Sequence, residues 1–305
     1  MWNKNKYKLV KENPYNKEKL DGFGLIICSE WDESFIKIIN DNNVVHLYLN
    51  YSLGWKCQDY TFLEKIQRLK TLDIIDIHSD GIKSVEQQSD LITLSLNLPF
   101  AYGLDFCVFH KLKNVFCYGV KKNDSLYFCK SIEKLCIDDF KIGDKHDIGN
   151  LENLKDLTIA NSNITSLSFV KKLICLENLT IINCKKILSF SDISYLKKLV
   201  RLDIRGVKTL HDISFLSNLN NIEIVIIETD NLTSIKPVAN LTNIKALALY
   251  GKKNMIEDMD LTPINNLKQL SMLDIPNRKS YTFKINNYWN WNDYGKSRRN
   301  WLTKK

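Results

Sequence analysis

Eleven times along the 305-residue chain an apolar residue is followed three places later by a second and two places after that by a third. The last two members of each copy are Leu47/Leu49, Leu72/Ile74, Leu94/Leu96, Val115/Cys117, Leu135/Ile137, Leu157/Ile159, Leu179/Ile181, Leu202/Ile204, Ile222/Ile224, Leu247/Leu249 and Leu273/Ile275, at spacings of 20 to 26 residues. A period of that size belongs to arrays built from one repeated supersecondary unit. The first member of each copy forms a column of its own: Val44, Leu69, Leu91, Leu112, Ile132, Leu154, Leu176, Leu199, Leu219, Ile244 and Leu270. In the second half a further column stands three residues earlier, at Leu151, Leu173, Leu196, Leu216, Leu241 and Leu267. The two-residue step is that of a strand with one buried face, and the three-residue steps suit a tight turn or short helix packing inward. Each unit is predicted to be a short strand plus a return segment, and stacked units bury one continuous core.

These columns resemble those of leucine-rich repeat proteins, and residues 150–276 are most similar to the short bacterial, internalin-like class. The most specific stretch is Asn231-Leu-Thr-Ser-Ile-Lys-Pro-Val-Ala-Asn-Leu-Thr-Asn-Ile-Lys-Ala-Leu-Ala-Leu249, echoed at Asp212-Ile-Ser-Phe-Leu-Ser-Asn-Leu and Leu261-Thr-Pro-Ile-Asn-Asn-Leu. The resemblance implies an α/β solenoid, a horseshoe with a parallel β-sheet on its concave face and short helices or turns on the convex one. The family usually places asparagine three residues after the last strand leucine, to tie successive turns together. Here that place holds Ser52, Ile77, Pro99, Val120, Phe140, Ser162, Cys184, Val207, Ile227, Lys252 and Arg278, and only Cys184 matches the cysteine variant.

An array grows in one dimension, so the length does not imply two globular domains. No run of 18 apolar residues is present, and the apolar stretch Gly24 to Cys28 is too short for the core of a signal peptide, so a cytoplasmic location is expected. The eight cysteines are scattered without a C-x-x-C pair, in keeping with reduced thiols. Cys107 and His110 have half of a zinc-site spacing but no second half, and no metal or other cofactor is expected.

Open ends of an array need covers. Residues 1–43 supply one, read as a strand at Phe23 to Cys28 and a helix from Ser29 to Ile39 with Ser29 as its N-cap, acids in the first turn and Phe35, Ile36 and Ile39 as its apolar stripe. The repeats occupy 44–276. Residues 277–305 lose the period and carry Tyr281, Phe283, Tyr288, Trp289, Trp291, Tyr294 and Trp301 among Lys296, Arg298, Arg299, Lys304 and Lys305. Two readings stand: the aromatics roof the last repeat, or a basic aromatic tail grips nucleic acid or an anionic surface.

The phase of the repeats says where the net charge of +8 lies. Residues alternating with the buried pairs face outward on the sheet. Six of them are acidic, Asp73, Asp138, Asp156, Asp203, Glu223 and Asp274, against three basic, Lys134, Arg201 and Arg205. The lysine pairs 171/172, 185/186, 197/198 and 252/253 fall in turns and return segments. Nucleic acid laid on such a face meets repulsion rather than counterion release. With the aromatics Tyr48, Phe116, Tyr118 and Tyr250 the face suits a protein with basic and apolar features. Arg201, Asp203 and Arg205 alternatively form a ladder with Asp156 and Glu223. Histidines 46, 78, 110, 146 and 211 are dispersed, and no H-E-x-x-H, G-x-S-x-G or glycine-rich phosphate loop occurs, so catalysis is not expected. The expectation is a non-enzymatic binding protein, narrowed to an immunity or inhibitor protein that neutralises a cognate bacterial toxin by occlusion.

Overall fold

The computed structural model describes residues 6–77, 80–98, 103–118, 124–140, 147–251, 255–296 and 301–304. His78, Pro99, Val120, His146, Lys252, Lys253, Arg298, Arg299 and Lys305 lie outside the described residues. The chain divides into two compact units, Met1–Ile137 and Asp138–Lys305.

In the first unit, β1 (Tyr7–Glu12) and β2 (Lys19–Ile27) form an antiparallel hairpin, followed by α1 (Ser34–Asp41). The strands β3 (Val44–Asn50), β4 (Thr71–Ile75), β5 (Thr93–Asn97), β6 (Asn114–Tyr118) and β7 (Lys134–Asp138) continue the sheet from β2 in chain order, the last residue of β7 belonging to the second unit. Leu47, Leu72, Leu94 and Val115 face one another across parallel ladders and are sealed from solvent. Most return segments are short 3₁₀ turns, such as Thr61–Lys65 and Ile82–Gln87, a geometry that rarely persists beyond a few residues.

The flank differs from the sequence expectation in two ways. The helix begins five residues later than Ser29, because Asp32 rather than Ser29 accepts the Ser34 N–H, at 2.8 Å, and no acid lies in its first turn. Phe35 and Ile39 form its buried stripe, with Ile36 half-buried. The strand β1 is additional: its Lys-rich sequence shows no alternation strong enough to mark it.

The second unit holds β8 (Asp156–Ala160), β9 (Asn178–Ile182), β10 (Arg201–Arg205), β11 (Ile224–Glu228), β12 (Asn231–Leu232), β13 (Ala246–Tyr250), β14 (Met255–Ile256), β15 (Met272–Asp274), β16 (Phe283–Ile285) and β17 (Leu302–Lys304). Strands β8, β9, β10, β11, β13 and β15 make one parallel sheet, β12 pairs with β14, and β16 with β17 form an antiparallel hairpin. At β11 the register corrects the sequence reading. Leu202 and Ile204 pair with Val225 and Ile227, not with Ile222 and Ile224. The shift is three residues, an odd number, so it turns the strand over and sends Ile224, Ile226 and Glu228 outward.

Successive turns of this unit are tied one residue earlier than the usual asparagine position. Asp139, Asn161, Asn183 and Gly206 all have left-handed backbones, with φ of 54, 48, 55 and 65°. The N–H groups of Asp139, Asn161 and Asn183 donate to the carbonyls of Ala160, Ile182 and Arg205 in the next repeat, at 3.0, 2.9 and 2.8 Å. The Asn183 side chain donates to Asn161 Oδ1 at 3.1 Å, and Asn161 in turn to Asp138. Beneath them Ser162 receives the Phe140 N–H, and the Cys184 thiol points at the carbonyls of Ile159 and Ile182.

The C-terminal segment closes the last repeat. Tyr288 makes an antiparallel bridge to Leu273, Asn287 bonds both the N–H and the carbonyl of Ile275, and Tyr281 receives the Ile256 N–H. Tyr281 and Trp301 are buried, so these aromatics roof the apolar end.

Candidate functional site

The outward face of the first unit is a grid whose columns are strands. One row runs Ile26, Tyr48, Asp73, Ser95 and Phe116, and a second runs His46, Thr71, Thr93 and Asn114. The turn between β1 and β2 folds over its near corner. Tyr15 donates its hydroxyl to Asp73 at 3.1 Å and meets the Tyr48 ring edge-on at 6.0 Å. Gly24 lies under Tyr48, where a Cβ would come within 3.0 Å of the ring.

Tyr48 is therefore 1% exposed and Asp73 9% exposed, which corrects their placement on an open surface. No local signal announces this, since the covering residue stands more than thirty positions upstream. Burial is the main cause of both acidity changes: the Tyr48 phenol is pushed up to about 12, and the Asp73 carboxyl is raised, with the Ser95 and Tyr15 hydroxyls pulling it partly back. His46 and Asn50, which alternate with the inward pair Leu47 and Leu49, are buried too. His46 bridges Thr71 and Asp21 at 2.9 Å each, Asp21 also holds Lys70 at 2.7 Å, and burial lowers the imidazole pKa despite the carboxylate. Phe116 is half-buried with the Lys134 ammonium 5.8 Å from its ring centre, and Tyr118 is exposed.

On the second unit the outward row of β10 to β15 reads Asp203, Ile226, Ala248 and Asp274, beside a row of Arg201, Ile224, Ala246 and Met272. Asp203 is nearly sealed and holds both arginines of its own strand: Arg205 reaches it bidentately at 2.7 Å through Nε and Nη2, and Arg201 at 3.1 Å. Residues two apart on a strand share a face, so the spacing Arg-x-Asp-x-Arg makes this cluster inevitable once β10 forms. The expected ladder to Asp156 and Glu223 is not made by these arginines; the pairing stays within the strand.

Glu223 sits just before β11 rather than on its outward face. Lys245 binds it at 2.7 Å and lowers its pKa, and the Tyr294 hydroxyl donates to it at 2.7 Å. The apolar patch of Ile224, Ile226, Ala246, Ala248 and Met272 is packed by Tyr250, Trp289 and Tyr294. These aromatics, apart from Tyr250, come from the C-terminal segment, and Trp291 stands at the rim, half exposed, 5.5 Å from Trp289 and 5.9 Å from Tyr294. Sequence reasoning assigned this segment to the roof or to a nucleic-acid grip, and missed that it also lines the outward face. Asp138 accepts both bonds of Asn161, Asp156 is half-buried and Asp274 exposed.

Of the described helices none is long and apolar enough to cross a membrane. No protein-family profile and no curated protein sequence matches the chain. Solved structures do. An internalin, inlF, of Listeria monocytogenes superposes with a TM-score of 0.66 at 22% identity, covering 83% of this chain and 73% of the other. A leucine-rich repeat protein of Leptospira interrogans gives 0.56 at 16%, with 88% and 82% covered. The functional domain of InlJ of Listeria monocytogenes, which includes a cysteine ladder, gives 0.53 at 16%, with 75% and 52% covered. Identities this low speak for architecture alone. Parallel strands one repeat apart, 3₁₀ returns, inward leucine columns and these superpositions agree: the chain has the leucine-rich-repeat fold, with internalin-like repeats.

Proposed function

We propose that the chain is a non-enzymatic protein-binding module working through the outward faces of its repeats. The observation that carries this reading is the cluster on the second unit, where Arg201 and Arg205 are fixed on Asp203 near Tyr250, with the C-terminal aromatics Trp291 and Tyr294 on the same face. Arginine, tyrosine and tryptophan dominate the few contacts that carry energy at protein interfaces. Strand geometry and the shared carboxylate hold the arginines in place, so less conformational freedom is lost on association.

The narrower form is a cytoplasmic immunity or inhibitor protein that covers the active face of one cognate toxin. It is supported by Asp138, Asp156 and Asp274, which suit a cationic counter-surface. Affinity capture from the native cell supplies the partner. The reading expects a protein whose affinity falls at least about tenfold for each of Trp291→Ala and Arg205→Ala. Unchanged affinity in both variants, or recovery of RNA with a steep salt dependence in place of protein, sinks it. Co-expression tests the narrower form: the partner alone should arrest growth, and this chain should restore it.

A further inference from the structure

The first unit buries a carboxylate without a cation. Among the described residues the partners of Asp73 are hydroxyls, those of Tyr15 and Ser95. A buried charge lacking a counter-charge is unfavourable, and proteins rarely leave one without use. Next to it, on the adjoining strand, the Tyr48 hydroxyl is buried with no hydrogen-bond partner. Buried polar atoms are bonded in the great majority of cases, so an unbonded hydroxyl beside a carboxylate without a counter-charge requires a reason.

Above Asp73 the cover is Tyr15, half exposed, which bonds the carboxyl through its hydroxyl and meets the Tyr48 ring with its edge, while Val10 and Leu20 crowd the Tyr48 ring at Gly24. The turn that carries it is closed on itself: Asn13 Oδ1 accepts the Tyr15 N–H at 2.9 Å, and the Lys17 N–H returns to the Asn13 carbonyl at 3.0 Å. Rotation of the Tyr15 side chain therefore opens the niche without breaking a bond of the sheet. Past Asp73 the same row continues through Ser95 to Phe116, both only half-buried.

We propose that Asp73, Tyr48 and Tyr15 form a niche for one cationic side chain, a lysine or arginine, of a protein partner, with Tyr15 as its movable cover. The assignment rests on the outward face being the binding surface. The cation supplies the missing counter-charge to Asp73 and donates to the Tyr48 oxygen, and the aromatic rings add attraction for a desolvated cation. Its aliphatic stem lies over Ser95 toward Phe116. Beside the niche His46 and Lys70 both engage Asp21, and the Lys134 ammonium lies over Phe116 at the far end of the row.

The test is an NMR titration with N-acetyl-lysine methylamide, its uncharged norleucine counterpart and propylamine, in the wild type and in Asp73→Asn, Tyr15→Ala and Tyr15→Phe. The expected result is saturable shifts of the Tyr48 ring and the Asp73 carboxyl with the lysine derivative alone or best. Binding should vanish in Asp73→Asn and tighten at least threefold in Tyr15→Ala, each with the remaining amide spectrum unchanged, and Tyr15→Phe should fall between wild type and Tyr15→Ala. No saturable shift in Tyr15→Ala, or an equal response to norleucine, overturns the niche. Tighter binding of propylamine overturns its assignment to a partner's side chain. With the captured partner, an affinity that depends on Arg205 but not on Asp73 removes the niche and leaves the module standing. Probe binding without any protein partner does the reverse.

Discussion

Asp73 and Asp203 occupy the same place in the repeat, between the two inward residues of a strand, one in each unit, and both are nearly sealed. Asp203 has an arginine two residues to either side; Asp73 has Thr71 and Ile75 there and an upstream tyrosine above. The repeat dictates where a side chain sits but not what it costs to put a charge there. That second quantity is set by the flanking outward residues and by whatever folds over them. A similar contrast holds two residues after the inward pair. Asn161 and Asn183 take left-handed turns and remain near the surface, whereas Asp76 turns inward and accepts the Trp55 indole N–H at 2.9 Å and the Tyr60 hydroxyl at 2.7 Å. The backbone tie itself is common to both, since the Asp76 N–H donates to the Asn97 carbonyl at 3.2 Å; the difference lies in the side chain, exposed at Asn161 and Asn183 and drawn into a buried network at Asp76.

The largest expected effect tests this last difference. Asp76→Ala strands two buried donors and should lower stability by about 3 kcal/mol, while Asn183→Ala, which removes an exposed amide bond, should cost about 1 kcal/mol or less. Urea midpoints measure both, and equal losses would break the contrast. Next come the two aspartates of the common place, for which opposite signs are expected. Asp203→Ala frees two partly exposed arginines and should lower stability by about 1 kcal/mol, a figure kept small by solvent screening. Asp73→Asn removes an uncompensated charge and should raise stability at neutral pH. A loss at position 73 as large as that at 203 would mean that the niche carboxylate already has its counter-charge.

The pH dependence gives the smallest and most specific effects. The folded pKa of Asp73 lies above its unfolded value, so in that window the folded chain binds more protons and the penalty, complete above the folded pKa, is relieved as the pH falls through it. His46 works the other way. Its folded pKa lies below the ordinary 6.5, so the unfolded chain takes up the proton first and stability declines as the pH drops below that value. His46→Gln should flatten the decline that sets in as the pH falls through 6.5, and Asp73→Asn should flatten the acid-side recovery. Parallel stability curves for wild type and variants would contradict both assignments.

The architecture is legible in the sequence because leucine columns at a fixed period fit a solenoid and few folds besides, and ten of the eleven inward pairs stand in the right phase. The exception, at β11, arises where Leu216, Leu219, Ile222, Val225 and Ile227 are all apolar at compatible spacings. Two registers then satisfy the pattern, and only pairing with Leu202 and Ile204 on one side and Leu247 and Leu249 on the other decides between them. The Arg-x-Asp-x-Arg contact is within reach of the sequence, since the face-sharing rule alone brings the three together. The burial of Tyr48 and Asp73 is not, because it comes from a hairpin turn whose position depends on β1, a strand too polar to announce itself. The shift of the helix start to Ser34 reflects the same limit: Ser29 and Asp32 are both competent caps, and the sequence does not rank them.

The ladders of the second unit match residue for residue: Leu157 faces Leu179, which faces Leu202. A strand so placed can accept, on either side, any neighbour of the same pattern. Duplication or loss of one repeat between β8 and β10 would thus leave the interior continuous while adding or deleting one strand's worth of outward side chains. For a chain built this way, changing length is a route to changing what is gripped, and descendants could diverge in partner before they diverge in core.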